Sequence, residues 1–194
     1  LPVEPRQNQK RRLEVEAKVP ANALYKTYHM PGRFHPDYYA VDLLSDVLSR
    51  GHSSRFYQQL VKEKEIFTSV SSFVMSTIEP GLFVVSGRVK EGVTLEHAEK
   101  EVDDILRKIV EEGAKKEELE KVKNQAEASL EFGEVEVMNR AMNLAFATLS
   151  GDPDWVNQEA KLISSVTLQD IKRVADDVLR DENSSVMYYR AVNN

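Results

Sequence analysis

The sequence contains no cysteine among its 194 residues. This single absence excludes disulfide bonds, zinc sites built on cysteine, iron–sulfur clusters and catalysis by a thiol. It leaves the compartment open, because periplasmic proteins as well as cytoplasmic ones can lack cysteine. The expectation is a soluble protein of the cytoplasm or the periplasm.

Long apolar runs and an excess of positive charge are also absent. No stretch approaches the roughly 20 consecutive apolar residues that cross a bilayer, so no membrane span is predicted. The 32 acidic residues outnumber the 26 basic ones, which gives a net charge of −6. Because phosphate binding requires a basic patch, this balance disfavours nucleic acid as the main partner. The length and the hydrophobic content of 41% suffice for one domain with a substantial core.

The first ten residues differ in composition from the rest of the chain. Residues 1–10 combine Pro2 and Pro5 with a polar run, a composition that predicts an extended interdomain linker. The segment lacks the apolar core of a signal peptide, and Leu1 is not an initiator residue. We therefore expect a second domain upstream, with residues 11–194 forming one domain.

Hydrophobic periodicity predicts a mixture of strands and helices. Alternation with period two indicates strands at residues 12–18, 22–30, 67–77, 82–89 and 185–191. Apolar residues at helical spacing, with caps and breakers between them, indicate helices that begin near residues 36, 55, 95, 117, 137, 153 and 168. The resulting order, β-β-α-α-β-β-α-α-α-α-α-β, predicts an α+β fold. We expect a two-layer sandwich with a mostly antiparallel sheet and helices packed on one face.

The segment 50–55 is the first candidate site, because it places His52 beside Ser53 and Ser54. A histidine next to a serine can suggest a base and its nucleophile. Sequence neighbours rarely reach the geometry of a triad, however, and no G-x-S-x-G elbow is present. The preferred interpretation is structural: Gly51 ends one helix in a left-handed cap, and Ser54 caps the next.

Arg55 follows this cap and falls in the first turn of the second helix. The helix dipole disfavours a cation at that position, so another group is expected to bind the side chain. A carboxylate or the carbonyl groups of a neighbouring loop would serve. We interpret Arg55 as a structural brace.

Metal-binding patterns are incomplete in this sequence. The four histidines are His29, His35, His52 and His97, and neither H-E-x-x-H nor H-x-x-E-H occurs. His97 and Glu101 lie four residues apart on a predicted helix and could offer two ligands, whereas zinc normally takes three or four. A solvated helix face is the preferred interpretation, and no metal site is predicted.

A cluster of carboxylates surrounds Gly133. Its members are Glu131, Glu134 and Glu136. Paired carboxylates can perform acid–base chemistry, and oxygen ligands can hold calcium. No loop of EF-hand spacing accompanies the cluster, so a solvated junction between two helices is the preferred interpretation.

Four stretches taken together resemble a known family. They are residues 31–70, 79–106, 111–131 and 151–179, which include EPGLFVVSGRVKEGVTLEHAEKEVDDIL and EEGAKKEELEKVKNQAEASLE. They are similar to the second domain of the pitrilysin/insulinase-type zinc peptidases, the inverzincins that also include the mitochondrial processing peptidase. The resemblance covers nearly the whole chain after the linker.

The resemblance implies a shape and a division of labour. In that family two similar α+β domains form one half of a clam, and a second pair forms the other half around an unfolded peptide. Zinc lies in the first domain on an H-x-x-E-H helix, where it activates a water molecule. This chain has no such motif, so the resemblance implies no cofactor here and zinc in a preceding domain.

A further family pattern concerns the domain that faces the zinc. That domain carries a substrate-binding Arg and Tyr in a stretch of the form L-R-E-K-x-G-L-A-Y-S-V. Aligned on this pattern, residues 60–70 place Val61 at the position of the Arg and Thr68 at the position of the Tyr. Neither residue supplies a charge or a phenol, so the resemblance assigns this domain to the zinc-bearing half.

The resulting hypothesis is a non-catalytic domain of a zinc-dependent metalloendopeptidase. It would wall the peptide-binding chamber, support the preceding zinc domain and contact the facing half of the clam, on the same chain or another. The alternative is a domain of an inactive family member that acts as a structural or regulatory partner subunit. An intact or broken H-x-x-E-H upstream would distinguish the two.

Overall fold

Five strands and six α-helices form within residues 5–192, the part of the chain that the computed structural model describes. The strands are β1 (Arg11–Ala17), β2 (Ala23–Met30), β3 (Phe67–Met75), β4 (Gly81–Val89) and β5 (Ser184–Ala191). The helices are α1 (Tyr38–Ser49), α2 (Leu95–Glu112), α3 (Lys116–Gly133), α4 (Val137–Leu149), α5 (Trp155–Ser165) and α6 (Leu168–Val178). A π-helix (Tyr57–Glu63) precedes β3, and a 3₁₀ turn (Asp181–Asn183) precedes β5.

The strands form one sheet in the order β1-β5-β2-β4-β3. The β5 strand pairs in parallel with β1 and antiparallel with β2, and the remaining pairs are antiparallel. The predicted α+β fold with a mostly antiparallel sheet is therefore confirmed. Although β1 and β2 follow each other in the chain, they do not form a hairpin, because the last strand inserts between them.

The core lies between the sheet and the helices on one of its faces. Leu24 and Tyr28 of β2, Phe83 and Val85 of β4, and Tyr188 of β5 are buried there. The apolar stripe of α1 packs against β3, while α2 and α6 contact β2. Fully burying each large apolar side chain stabilises the fold by about 1.5–3 kcal/mol.

Local signals set the ends of the helices that carry this core. Thr94 caps α2 through its side-chain oxygen, which accepts a hydrogen bond from the His97 N–H. Gly113, with φ of +76°, ends the same helix. Thr167 and Asp170 form a capping box at the start of α6.

The outer edge of β3 is partly closed by α1. The Ser49 hydroxyl donates to the Ser72 carbonyl at 2.8 Å and accepts from the Ser72 N–H at 2.9 Å. The Ser72 hydroxyl in turn donates to the carbonyl of Ser45. These bonds satisfy backbone groups that would otherwise be free to pair with another strand.

The predicted linker is partly described. Residues 1–4 lie outside the described residues, whereas residues 5–10 form no regular secondary structure and bend at Gln9. Gln7 is 4% exposed, which is unexpected for a linker residue. This segment is therefore docked against the domain.

Candidate functional site

The segment 50–55 forms the connection between α1 and the π-helix. Gly51 has φ of +79°, the left-handed conformation predicted for the end of a helix. The Arg50 N–H before it still donates to the carbonyl of Asp46. The Gly51 carbonyl accepts from the Ser54 N–H at 3.1 Å, which closes the turn.

Ser54 begins the next helical segment through its backbone. Its carbonyl accepts a hydrogen bond from the Gln58 N–H at 3.0 Å. Its hydroxyl oxygen is buried and has no hydrogen-bond partner within the described residues. The predicted side-chain cap is therefore not formed, because the hydroxyl faces the interior and does not turn back onto the helix.

Arg55 joins the π-helix to the connection between α2 and α3. Its Nε and Nη2 donate to the two carboxylate oxygens of Glu118 at 2.8 and 2.7 Å, and Nη2 also donates to the Gly113 carbonyl at 2.9 Å. Glu118 further accepts from the Lys115 N–H. Burial opposes ionisation of Glu118, but the bonds from Arg55 and Lys115 outweigh it and lower the pKa of the carboxyl. The sequence suggested a carboxylate or the carbonyl groups of a loop as the partner of Arg55, and the side chain binds one acceptor of each kind.

The neighbouring His52 and Ser53 are engaged in other contacts. The His52 ring stacks on Tyr57 with centroids 4.5 Å apart, and its carbonyl accepts from the Gln58 side chain. The Ser53 hydroxyl accepts from the Lys121 ammonium at 3.0 Å. His52 is thus held against the π-helix, and Ser53 against α3.

The described residues do not fit a metal ion. Across residues 5–192, no group of three or more histidine, aspartate or glutamate side chains is arranged to hold one. Glu101, which lies four residues after His97, is buried and forms an ion pair with Lys64.

The remaining sequence candidates occupy separate parts of the surface. The three carboxylates Glu131, Glu134 and Glu136 are exposed where α3 gives way to α4. Val61 lies on the π-helix, partly buried against the core. Thr68 is exposed on β3, and its hydroxyl donates to the Arg88 carbonyl at 3.2 Å. The fold does not bring these residues together.

A buried ion cluster, not anticipated from the sequence, lies between the sheet and α2. Glu99 is 5% exposed and accepts hydrogen bonds from Arg12 and from the Tyr188 hydroxyl. Lys26 is 1% exposed and pairs with Asp103. Burial opposes ionisation of Glu99, yet the bonds from Tyr188, Arg12 and Lys10 lower its pKa to about 2. Glu99 lies four residues after Leu95 and three before Val102, so helical spacing places it on the buried face of α2. This spacing was the signal in the sequence that could have predicted its burial.

Two apolar surfaces remain uncovered within the described residues. The first, the α4 surface, comprises Phe132, Val135, Val137, Met138, Met142, Leu144 and Leu149, which are 49% to 81% exposed. Ala147 is the buried residue of α4. Phe146 holds the helix to the domain through its stacked contact with Phe34. Apolar patches of this kind mark interaction surfaces in soluble domains.

Carboxylates border the α4 surface. Between residues 124 and 154 the sequence contains six acidic side chains and one basic side chain, Arg140. Glu127, Glu131 and Glu134 line a cleft between α3, α4 and α5. The α4 surface is therefore apolar with an acidic margin.

The second surface, the open sheet face, lies opposite the helices. The strand register places on it Arg11, Leu13, Val15 and Ala17 of β1; Ser185, Met187, Tyr189 and Ala191 of β5; Ala23, Tyr25, Thr27 and His29 of β2; Leu82, Val84, Ser86 and Arg88 of β4; and Ser69, Ser71, Phe73 and Met75 of β3. Leu13, Phe73 and Met75 are 56%, 44% and 51% exposed. None of these residues is acidic.

A concavity of about 390 Å³ occupies part of the open sheet face. Tyr25, Tyr189 and Arg88 line it together with serines from β3 and β4. Aromatic rings, hydroxyl groups and one guanidinium can contact an extended peptide without selecting a particular amino-acid sequence.

No helix among residues 5–192 has the length and apolar character needed to cross a bilayer.

Comparison with known proteins gives the family context. The family described as "Peptidase M16 inactive domain" matches residues 1–126. The zinc protease PqqE of Helicobacter pylori is 23% identical over 163 residues, which cover 84% of this chain and 37% of PqqE. The chain thus spans well under half the length of that curated relative.

Solved structures share the fold. A protease from H. pylori superposes with a TM-score of 0.90 at 23% identity, over 97% of this chain and 46% of that one. The inactive peptidase domain of a Bordetella parapertussis protein superposes with a TM-score of 0.83 at 22% identity, over 93% of this chain and 96% of that one. The peptidase M16 inactive domain from Pseudomonas fluorescens gives 0.77 at 14% identity, over 95% and 44% of the two chains.

Proposed function

The chain belongs to the peptidase M16 inactive-domain family, and from this membership we propose that it is the non-catalytic second domain of a zinc-dependent metalloendopeptidase. In this role it supports a preceding zinc domain, contacts the facing half of the enzyme and walls the chamber that holds the peptide. The catalytic metal belongs to the preceding domain. The length of the H. pylori relative, of which this chain spans 37%, leaves room for such a domain.

The α4 surface carries the proposal. A helix with its apolar side chains in water costs free energy, at roughly 25 cal/mol for each Å² left exposed. The seven residues of this surface are 49% to 81% exposed, so covering them offers a large driving force for association. A neighbouring domain of the same protein is the cover that the family relationship supports.

The open sheet face supplies a second contact region of different character. It carries Arg11 and Arg88 and no carboxylate, whereas the α4 surface has an acidic margin. Because the two surfaces carry opposite charge, each favours a partner of the charge opposite to its own, and the two surfaces therefore select different partners. We propose that the α4 surface packs against the zinc domain and that the open sheet face is turned toward the second half of the enzyme and its peptide.

An association experiment tests the domain-support role. The zinc domain and this chain would be produced separately, and their affinity measured by isothermal titration calorimetry. We expect a one-to-one complex that Met142→Glu weakens at least tenfold, because a charge would enter an apolar contact. The matched control is Leu168→Glu, which adds the same charge at an exposed apolar residue outside both surfaces. Equal affinities for the two variants would contradict the proposal.

Metal analysis tests the catalytic assignment. We expect one zinc per full-length parent, lost on treatment with a chelator, and none bound by residues 1–194 alone. Stoichiometric zinc on this chain would overturn its non-catalytic role. A parent without zinc would instead make this chain part of an inactive structural or regulatory subunit.

A further inference from the structure

Three arginine side chains on the uncovered surfaces lack the ion pairs that the others form. Nine arginine side chains pair with carboxylates of this domain. Among residues 5–192, Arg11, Arg88 and Arg140 form no ion pair. Arg11 and Arg88 lie on the open sheet face, and Arg140 lies on α4. A guanidinium without a partner in its own domain can bind an anion that another molecule supplies.

Arg88 stands at the rim of the concavity on the open sheet face. The concavity measures about 390 Å³, near the lower end of the range for pockets that bind small ligands. Among the described residues that line it, Arg88 has the one charged side chain. The hydroxyl groups of Tyr25, Tyr189 and three serines are the other polar side-chain groups. The electrostatic potential of this lining therefore favours an anion.

Small side chains form the floor of the concavity. In the strand register Ala23 lies opposite Arg88 on one side and opposite Tyr189 on the other. Since neighbouring strands are about 4.8 Å apart, the backbones that carry Arg88 and Tyr189 are separated by about 10 Å, with the methyl group of Ala23 between them. Ser86 lies opposite Tyr25 in the same way. The floor is thus recessed below a guanidinium and two phenol rings.

A β-bulge in the neighbouring strand shapes the backbone at Arg88. The register of β3 against β4 shifts between Phe67 and Ser69, so Thr68 is an extra residue. Ser69 is the partner of Arg88, and the Thr68 hydroxyl donates to the Arg88 carbonyl at 3.2 Å. Bulges change the direction of nearby side chains, and they occur often beside functional sites. The bulge therefore fixes the point from which the guanidinium extends.

A carboxylate is the anion that fits these groups. A guanidinium binds a carboxylate through two parallel N–H donors, and the hydroxyl groups of serine and tyrosine can donate further hydrogen bonds to it. An extended peptide presents alternate side chains to pockets on the surface that it contacts. A recess of this size admits one such side chain together with the backbone next to it.

We propose that Arg88, Tyr25 and Tyr189, with the serine hydroxyls between them, form a carboxylate subsite that binds an aspartate or glutamate side chain of the peptide. The inference rests on the proposed function, because it takes the peptide beside the open sheet face as the ligand. It adds a preference for charge to a surface that otherwise selects no particular amino-acid sequence. Arg88 determines this preference, since it supplies the positive charge of the concavity.

Peptide titration followed by nuclear magnetic resonance tests the carboxylate subsite. The ligands are Ac-Ser-Ala-Glu-Ala-Ser-NH2 and the same peptide with glutamine in place of glutamate, so the two differ in one carboxylate. Residues 5–192 enclose their own core, so the chain of residues 1–194 is used by itself. We expect it to bind the glutamate peptide about fivefold more tightly, because the guanidinium gains a charged partner. The backbone N–H signals of Ala23, Ser86 and Tyr189 should shift on binding.

Two variants distinguish the subsite from a general effect of charge. Arg88→Gln should make the affinities for the two peptides equal. Arg140→Gln removes another unpaired and exposed guanidinium, which lies outside the open sheet face, and should leave the preference unchanged. Arg88 is exposed, so its replacement does not disturb the core, and unchanged signals from core residues would verify this. Equal affinities in the unchanged protein, binding of neither peptide, or a preference that survives Arg88→Gln would overturn the subsite.

Zinc content separates this inference from the proposed function. A zinc-containing parent whose second domain binds the two peptides equally would support the metallopeptidase and contradict the carboxylate subsite. A preference for glutamate that Arg88→Gln abolishes, in a parent without zinc, would give the reverse result.

Discussion

Charged helices are usually exposed and apolar helices are usually buried, but α2 and α4 show the opposite. The α2 helix carries seven acidic and three basic residues, yet it buries eight of its side chains, including Glu99 and Glu101. The α4 helix has Arg140 as its one charged residue, yet within the domain it buries Ala147. The residues of α2 therefore form part of the core of this domain, whereas the apolar residues of α4 are suited to a contact that this domain by itself does not supply.

The charged side chains of α2 are compatible with burial because they are paired. Glu99 receives hydrogen bonds from Arg12 and Tyr188, and Glu101 pairs with Lys64. Each pair offsets part of the cost of removing a charge from water. The apolar side chains of α4 have no comparable compensation, which is why we assign them to an interface.

Among the substitutions considered for α2 and α4, removing the charge of Glu99 is expected to cause the largest loss of stability. We expect Glu99→Gln to lower the free energy of unfolding by about 3 kcal/mol at pH 7, because the cations around it lose their buried partner. Urea denaturation measures the change. Glu96→Gln, the same substitution at an exposed position of α2, should have little effect.

The pH dependence of this difference has a definite sign. The folded-state pKa of Glu99 is about 2, below the ordinary value near 4.3 for an unfolded chain. The carboxylate therefore stabilises the fold fully above about pH 4.3, and its contribution disappears as the pH falls toward 2. The gap between the unchanged protein and Glu99→Gln should close over that interval. A gap that stays constant would show that the charge is not responsible.

Truncation of the apolar stripe of α2 gives the next largest effect. Ile109 is 0% exposed, so Ile109→Ala should lower the free energy of unfolding by about 2–3 kcal/mol through lost burial and a residual cavity. Thermal or urea unfolding of residues 1–194 provides the measurement. A change below about 0.5 kcal/mol, the level of a surface substitution, would mean that α2 is not part of the core.

Replacing Arg55 tests how much its bonds at the C-terminal end of α2 contribute to stability. Arg55→Lys keeps the charge but loses the paired bonds to Glu118 and the bond to the Gly113 carbonyl. We expect a loss of about 1–2 kcal/mol, since a lysine cannot reproduce the planar fork. Arg107→Lys on the exposed side of α2 is the control. Similar losses for both would contradict the brace.

The smallest effect is expected on α4. Met142 is 64% exposed, so Met142→Ala should change the free energy of unfolding of residues 1–194 by less than about 0.5 kcal/mol. The same substitution should weaken the complex with the zinc domain, where this side chain becomes buried. A large loss of stability in the single domain would show that Met142 is already buried there, and would contradict the difference in burial between α2 and α4.

Much of the fold was predictable because the apolar residues repeat with clear periods. The stripe of α1 and the alternation in β2 predicted elements that the structure contains, and Thr167 with Asp170 marked the start of α6. The partners of Arg55 were also predictable in kind, since a cation in the first turn of a helix requires a nearby acceptor. The hydroxyl of Ser54 was wrongly predicted to cap, because sequence spacing does not reveal which way a small side chain turns.

The secondary-structure order, the α+β class and the absence of a cysteine-based or H-x-x-E-H site could all be read from the amino-acid sequence. Those properties depend on the identity and spacing of residues close together in the chain. The position of β5 between β1 and β2, the burial of Gln7 and the pairing of Lys10 with Glu99 of α2 follow from packing between distant parts of the chain. These contacts join residues more than 80 positions apart, and local periodicity carries no information about such pairs. For the same reason, the exposure of the apolar side chains of α4 is visible only in the folded domain.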